Sequence, residues 1–260
     1  MSVRDVVSAY RSELTAVSER VYDARRRFFV AHFEGYVEDT YYFVPDSGYY
    51  CWPAQTDGVF EGYTEILPEE RRALEPLLEA GFEFLGVGTS RVVCRFPPHN
   101  EDDLVVKIGR CGMGEAFGTG RHHNLVEAQI SNANANANGD LPVLPSLFCE
   151  PRGRFAVYPY AQTVSEGEIG DERRGEVAAA VRERVPTLRE AEFADPKNLC
   201  RWKGDLYTLD YCEFEGADFP LGVPAHVDHD EVIDAVDRLR RRGEKKDIDD
   251  PLRLVSPVLE

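Results

Sequence analysis

Lysine is nearly missing from this chain. Only Lys107, Lys197, Lys203, Lys245 and Lys246 occur among 260 residues, so arginine supplies almost all of the 30 basic side chains. These face 47 carboxylates, for a formal charge of −17. Such a field opposes the approach of nucleic-acid phosphates, and no nucleic-acid partner is expected. Carboxylates in excess, with arginine in place of lysine, read as adaptation to concentrated salt. At molar salt the Debye length falls to ~3 Å, and the self-repulsion of an acidic surface largely disappears. An acidic protein encoded by a GC-rich genome has the same composition, and both readings stand.

Other absences narrow the class. No run approaches the ~20 apolar residues that a membrane helix needs, so no membrane partner is expected. The opening Met1-Ser2-Val3-Arg4-Asp5 lacks the charged-then-apolar layout of a secretory signal. The expectation is a soluble protein of the cytoplasm, there a high-salt cytosol. The six cysteines, Cys51, Cys94, Cys111, Cys149, Cys200 and Cys212, include no C-x-x-C pair. Buried free thiols fit better than a disulfide framework or a zinc site.

What is present suits a packed core, with 43% hydrophobic and 11% aromatic residues. Val3, Val7, Tyr10, Leu14, Val17, Val21, Ala24 and Phe28 recur in steps of four and three. That predicts a long amphipathic helix, able to pair with a partner or second copy through residues 3–28 or to pack on its own domain. Residues 33–63 are tyrosine-rich and broken by turn sequences, which predicts a small hairpin. Leu67-Pro68-Glu69-Glu70 opens a short helix ending near Gly81. Phe82 to Phe96 reads as two strands about a glycine turn, and Leu104 to Ile108 as a third. A short helix is predicted over 124–132, ended by the asparagine-alanine repeat from Asn132 to Gly139. Leu144 to Cys149 and Phe155 to Tyr160 form a hairpin. A helix follows over 171–185, then a hairpin about Lys203-Gly204-Asp205 and a last helix over 230–242.

Four stretches carry chemistry. The first is Gly86-Val87-Gly88-Thr89-Ser90-Arg91-Val92-Val93, a turn whose glycines allow backbone N–H groups to approach phosphates closely. Any tight strand turn has a similar look. The second is Lys107, inside Val105-Val106-Lys107-Ile108, where a lysine is costly to bury without an anion; the plainer reading is a lysine extending its stem to water. The third is Glu127, on the short helix, with an ordinary solvated helix face as the plainer reading. The fourth is Asp195-Pro196-Lys197-Asn198 followed, 12 positions after Asn198, by Asp210. Those two side chains can equally stabilise their own loops.

In order and spacing these stretches resemble the protein-kinase superfamily, especially its aminoglycoside-phosphotransferase-like relatives. The resemblance covers residues 80–215 and implies an α+β, two-lobed kinase-like fold. Its parts would be an added helix and hairpin over 1–76, a first lobe over 77–160 and a reduced second lobe over 161–260. It further implies that ATP lies between the turn of Gly86, Gly88 and Thr89 and a Tyr158–Ala161 linker, including Tyr160, whose backbone meets the adenine. Lys107 would reach the phosphates, Glu127 would orient Lys107, and Asn198 with Asp210 would hold magnesium.

The sequence departs from that family in three places. Arg91 stands at the third glycine position. Tyr211-Cys212 follows the metal aspartate, where an aromatic residue and then glycine is usual. Phe193 fills the position of the catalytic aspartate, and Asp195 is the nearest candidate for the base in phosphoryl transfer to a hydroxyl. The chain therefore reads as a degenerate phosphotransferase or pseudokinase. The alternative is a non-catalytic interaction protein on the same frame, such as a component of a halophilic virus particle. His122-His123 and His226-Val227-Asp228-His229-Asp230 have metal-ligand residue types without an evident third partner.

Overall fold

The computed structural model describes residues 2–32, 65–88, 90–98, 103–111, 120–136, 139, 141–165, 167–184 and 198–211. The tyrosine-rich hairpin, the run from His226 to Asp230 and the helix over 230–242 lie outside these residues, as do Thr89, Phe193 and Asp195. The described part is α+β with two antiparallel sheets.

The chain opens with α1 (Val3–His32) and α2 (Pro68–Glu79). Pro68 occupies the first turn of α2, where its missing N–H costs nothing, and Glu70 reaches back to accept the Leu67 N–H at 2.9 Å. The helix stops as the sequence predicts. Gly81 takes φ +90°, its N–H bonds the Leu78 carbonyl, and the Phe82 N–H bonds the Leu77 carbonyl. This left-handed glycine stop turns Phe82 into the core.

Three strands follow, β1 (Glu83–Val87), β2 (Arg91–Arg95) and β3 (Leu104–Gly109). After α3 (Gly120–Asn136) come β4 (Phe148–Cys149) and β5 (Phe155–Pro159). The five strands form one antiparallel sheet in the order β1-β2-β3-β5-β4. Alternation divides its residues between two faces. Val92, Cys94, Leu104, Val106, Ile108, Phe155 and Val157 point outward and are buried by Val6, Val7, Leu14, Val17, Val21, Leu74 and Leu77 of the first two helices. The heptad face of α1 is thus covered by α2 and by its own sheet, so association through residues 3–28 would have to use its other faces. The expected boundary at 76/77 falls inside α2, whose leucines share this core, so the first helices are a layer of the sheet domain.

The opposite face carries Arg91, Val93, Lys107, Ala156 and Tyr158, with α3 and a second sheet against it. That sheet comprises β6 (Gln162–Thr163), β7 (Leu199–Trp202) and β8 (Asp205–Thr208). The turn between β7 and β8 has positive φ at Lys203 and Gly204, which suits a tight two-residue hairpin. Between β6 and β7 lies α4 (Asp171–Arg184), whose Val177 packs with Leu199 and Leu206.

Two sequence expectations need correction. The asparagine-alanine repeat does not end α3 at Asn132. Alanine favours the helix, and the Asn134 side chain bonds both the N–H and the carbonyl of Leu141, so the helix runs to Asn136. The strand expected from Leu144 shrinks to Phe148–Cys149, since Pro145 has no N–H to give a ladder.

A buried ionic clamp ties the outer layer to the glycine turn. Glu70 receives Nε and Nη2 of Arg110 at 2.8 and 2.7 Å, and Arg25 lies at 3.7 Å. All three side chains are almost wholly buried. Desolvation pushes the Glu70 carboxyl up to about 7, against the pull of Arg25 and the Leu67 N–H; the two-pronged Arg110 contact adds to that pull and favours the carboxylate. Arg110 also donates to the Gly88 and Glu65 carbonyls. Glu70→Ala leaves both guanidinium groups without their carboxylate. The expected loss in urea unfolding is about 3–5 kcal/mol. A loss no larger than that of an exposed pair, about 1 kcal/mol or less, would refute the clamp.

Candidate functional site

On the inner face of the sheet, groups from five elements meet. Strand alternation and register set Arg91 of β2 diagonally beside Lys107 of β3. Glu127 faces them from α3 with no solvent exposure. Its Oε2 takes a hydrogen bond from Lys107 Nζ at 2.9 Å and another from the Tyr158 hydroxyl at 2.6 Å. Its Oε1 lies 2.6 Å from Arg91 Nη1. Burial next to Glu127 pushes the Tyr158 hydroxyl well above its ordinary value, so it keeps the proton it donates.

The hairpin that follows β7 closes the cluster. Lys107 Nζ donates to the Leu209 carbonyl at 2.7 Å, and Arg91 Nη2 donates to Asp210 Oδ1 at 2.6 Å. The Lys107 ammonium also stands 4.4 Å from the Tyr158 ring centroid. Leu209 in turn donates its N–H to the Asn198 carbonyl at 2.7 Å, which fixes Asn198 beside the strand end that carries Asp210. Asn198 is 7% exposed. Among the described residues, two cations and two carboxylates thus form a charge-balanced group, buried except at Asp210, whose side chain is 35% exposed.

The structure brings Lys107, Glu127 and Asp210 into one group, with Asn198 at its edge. It does not bring the expected linker there in the expected way. Tyr158 belongs to β5, opposite Val105, and contributes its hydroxyl to the cluster. The Tyr160 N–H is engaged by the Asp103 carbonyl at 2.8 Å, and its half-exposed ring packs against Arg95.

The glycine turn adjoins the cluster. The Gly88 N–H bonds the Arg91 carbonyl, and the Arg110 N–H bonds the Ser90 carbonyl. Gly120, the first residue of α3, sits so close that a side-chain carbon there would lie 1.8 Å from the Ser90 carbonyl oxygen. Gly86 and Gly88 are different. Neither has positive φ, and among the described residues no atom lies within 4 Å of a carbon added at Gly86, while at Gly88 only the Arg91 carbonyl comes to 4.0 Å. Gly86 follows a register shift between β1 and β2, where glycine is common; at Gly88 contacts within the described chain do not account for glycine, and a close approach from outside would.

Three members of this neighbourhood escape the sequence reading. Arg91 figures there only as a lost glycine, although it shares a strand face with Val93 and lies across from the lysine strand. His123 and Glu127 are four apart on α3, hence on one helix face. The His123 Nδ1 lies 2.8 Å from the Ser90 hydroxyl, and Ser90 itself is the third. Desolvation, reinforced by Arg91 and Lys107 and opposed by Asp210, lowers His123 to about 3. Cys94, Cys149 and Cys200 are free and buried, Cys111 is buried, Cys51 and Cys212 lie outside the described residues, and burial lifts Cys94 and Cys200 to about 12.

Magnesium fits this donor set poorly. Among the described residues no three His, Cys, Asp or Glu side chains gather as ligands, and Oδ1 of Asp210 already meets a guanidinium. A separate cavity of about 190 Å³ lies between α4 and the β7–β8 hairpin. Its exposed lining mixes Glu168 and Asp205 with Arg173 and Arg201, which marks a solvent groove. Among the described residues no helix is long and apolar enough to cross a membrane. No protein-family model matches the sequence, and no curated protein matches it either.

His123 makes the fold acid-sensitive. Its folded value of about 3 lies below an ordinary 6.5, so between those limits the unfolded chain binds a proton that the folded chain refuses. Stability is then full above about pH 6.5 and falls as pH drops toward 3, by at most ~1.4 kcal/mol per pH unit from this one group. His123→Asn keeps a polar partner for Ser90 without a titrating ring. Urea unfolding from pH 7.5 to 5 should show a shallower slope for the variant, and equal slopes would exclude the buried neutral imidazole.

Proposed function

We propose that this chain is a nucleotide-binding protein on a kinase-like frame, in which the five-stranded sheet with α3 forms the first lobe. The second sheet and α4 begin a reduced second lobe. The observation that carries this reading is the Lys107–Glu127 pair. A buried strand lysine is oriented by a helix carboxylate, and its ammonium reaches the main chain next to Asp210. In that frame Lys107 is the cation that meets a nucleotide's phosphates. The open space over Gly86 and Gly88 suits the approach of a phosphate to the turn. Binding is better supported than catalysis. Phe193 cannot accept a proton, and phosphoryl transfer would fall to Asp195, outside the described residues.

A second reading keeps the frame and drops the ligand, leaving an interaction protein. The contact of Arg91 with Asp210 favours it, because that contact neutralises the cluster from within.

A thermal-shift titration with ATP, at moderate and at molar potassium chloride, separates the two. At a hundred times the dissociation constant a ligand adds ~2.7 kcal/mol, which for a chain of this size raises Tm by roughly 5–10 °C. Lys107→Ala should abolish the shift, though it also leaves Glu127 one cation short. Gly88→Ala avoids that complication: its Tm should match or exceed wild type by the equivalent of about 0.4–1 kcal/mol, while the ATP-induced shift shrinks. No shift for wild type in either salt would leave the interaction reading standing alone.

A further inference from the structure

We infer that Arg91 takes the place of a divalent cation at Asp210, so that the site receives the polyphosphate of a nucleotide as the metal-free anion. The inference rests on the nucleotide reading above and concerns how the same site handles charge. Arg91 leaves the glycine turn as the first residue of β2, and its side chain is buried to within a few per cent. Its guanidinium spans two carboxylates from different elements, Glu127 on α3 at 2.6 Å and Asp210 beyond β8 at 2.6 Å. A guanidinium stays protonated at any working pH, and its planar fork matches carboxylate and phosphate oxygens alike.

The charge count follows from those contacts. Arg91 and Lys107 balance Glu127 and Asp210 before any ion is added. A magnesium ion on Asp210 would stand beside a fixed guanidinium, in a group where, among the described residues, the carboxylates do not outnumber the cations. With magnesium disfavoured, the positive charge that an incoming polyphosphate meets is that of Lys107 and Arg91, both carried on strands next to the glycine turn. Arginine is suited to this task, since one edge of its plane can stay on a carboxylate while another meets a phosphate oxygen.

Isothermal titration of the full chain with ATP, once with excess EDTA and once with magnesium, tests this. The expected dissociation constants agree within about twofold, and Arg91→Gln weakens binding in EDTA by roughly tenfold or more while magnesium restores part of it. Arg91→Lys, which keeps the charge, should retain intermediate metal-free binding. Manganese alone, followed by electron paramagnetic resonance, should remain free in the presence of the wild-type protein. Wild-type binding that appears only with magnesium overturns the inference and leaves the nucleotide reading intact. An Arg91→Gln protein with unchanged metal-free affinity overturns it as well. Absence of binding under both conditions removes the nucleotide reading and this inference with it. If Arg91→Gln fails to fold by circular dichroism, the wild-type comparison of EDTA with magnesium still decides.

Discussion

A carboxylate with no access to water holds this structure in register. Burying an unpaired Glu127 would cost several kcal/mol, and a buried pair repays such a cost only when the geometry is good and the remaining oxygen positions are filled. Here Oε2 is filled by a lysine from β3 and a tyrosyl hydroxyl from β5, while Oε1 accepts no hydrogen bond among the described residues and is met by an arginine from β2 as an ion contact at 2.6 Å. Each partner approaches from a different strand, so the rotation of α3, the spacing of three strands and the face on which their side chains lie are coupled. The second sheet joins the same account through the Leu209 carbonyl and Asp210.

A second buried carboxylate works on the other side of the sheet. Glu70 gathers Arg25 from α1 and Arg110 from the end of β3, and Arg110 passes the constraint on to the Gly88 carbonyl. Its own N–H holds the Ser90 carbonyl, while the Ser90 hydroxyl meets His123 on α3. The glycine turn is therefore gripped from both layers at once. The opening helices thus help to set the conformation of the segment that adjoins the candidate site.

The sequence made some of this legible and hid the rest for physical reasons. Lysine inside an apolar strand announces its need for an anion, and a helix glutamate 20 positions later supplies the right type. Strand alternation puts Arg91 on the lysine's face, but a strand arginine is as compatible with water as with burial, and only the approach of Asp210 from a distant hairpin decides between them. Tyr158 illustrates the same limit. Its place near the end of an apolar run suits either a linker or a buried strand residue, and the buried acceptor on α3 makes it the latter. The heptad of α1 specifies an apolar stripe without naming what covers it. The partners proved to be the short helix α2 and the flat apolar face of the sheet, which close over the stripe together.

Burial also changes how this site relates to the rest of a chain carrying −17 charges. At moderate ionic strength the acidic surface repels a polyanion over a Debye length of about 10 Å, and at molar salt that range contracts to ~3 Å. The buried contacts of Glu127 with Arg91 and Lys107, at 2.6 and 2.9 Å, are screened far less. Raising salt therefore removes the long-range obstacle to a phosphate ligand before it weakens the cations that would hold it. Ordinary phosphate sites built from exposed lysines lose affinity as salt rises, because the same ions screen both approach and contact. A chain that keeps one of its few lysines and an arginine buried on a neutral cluster separates the two effects, and its acidic surface and internal cations are then parts of one electrostatic arrangement.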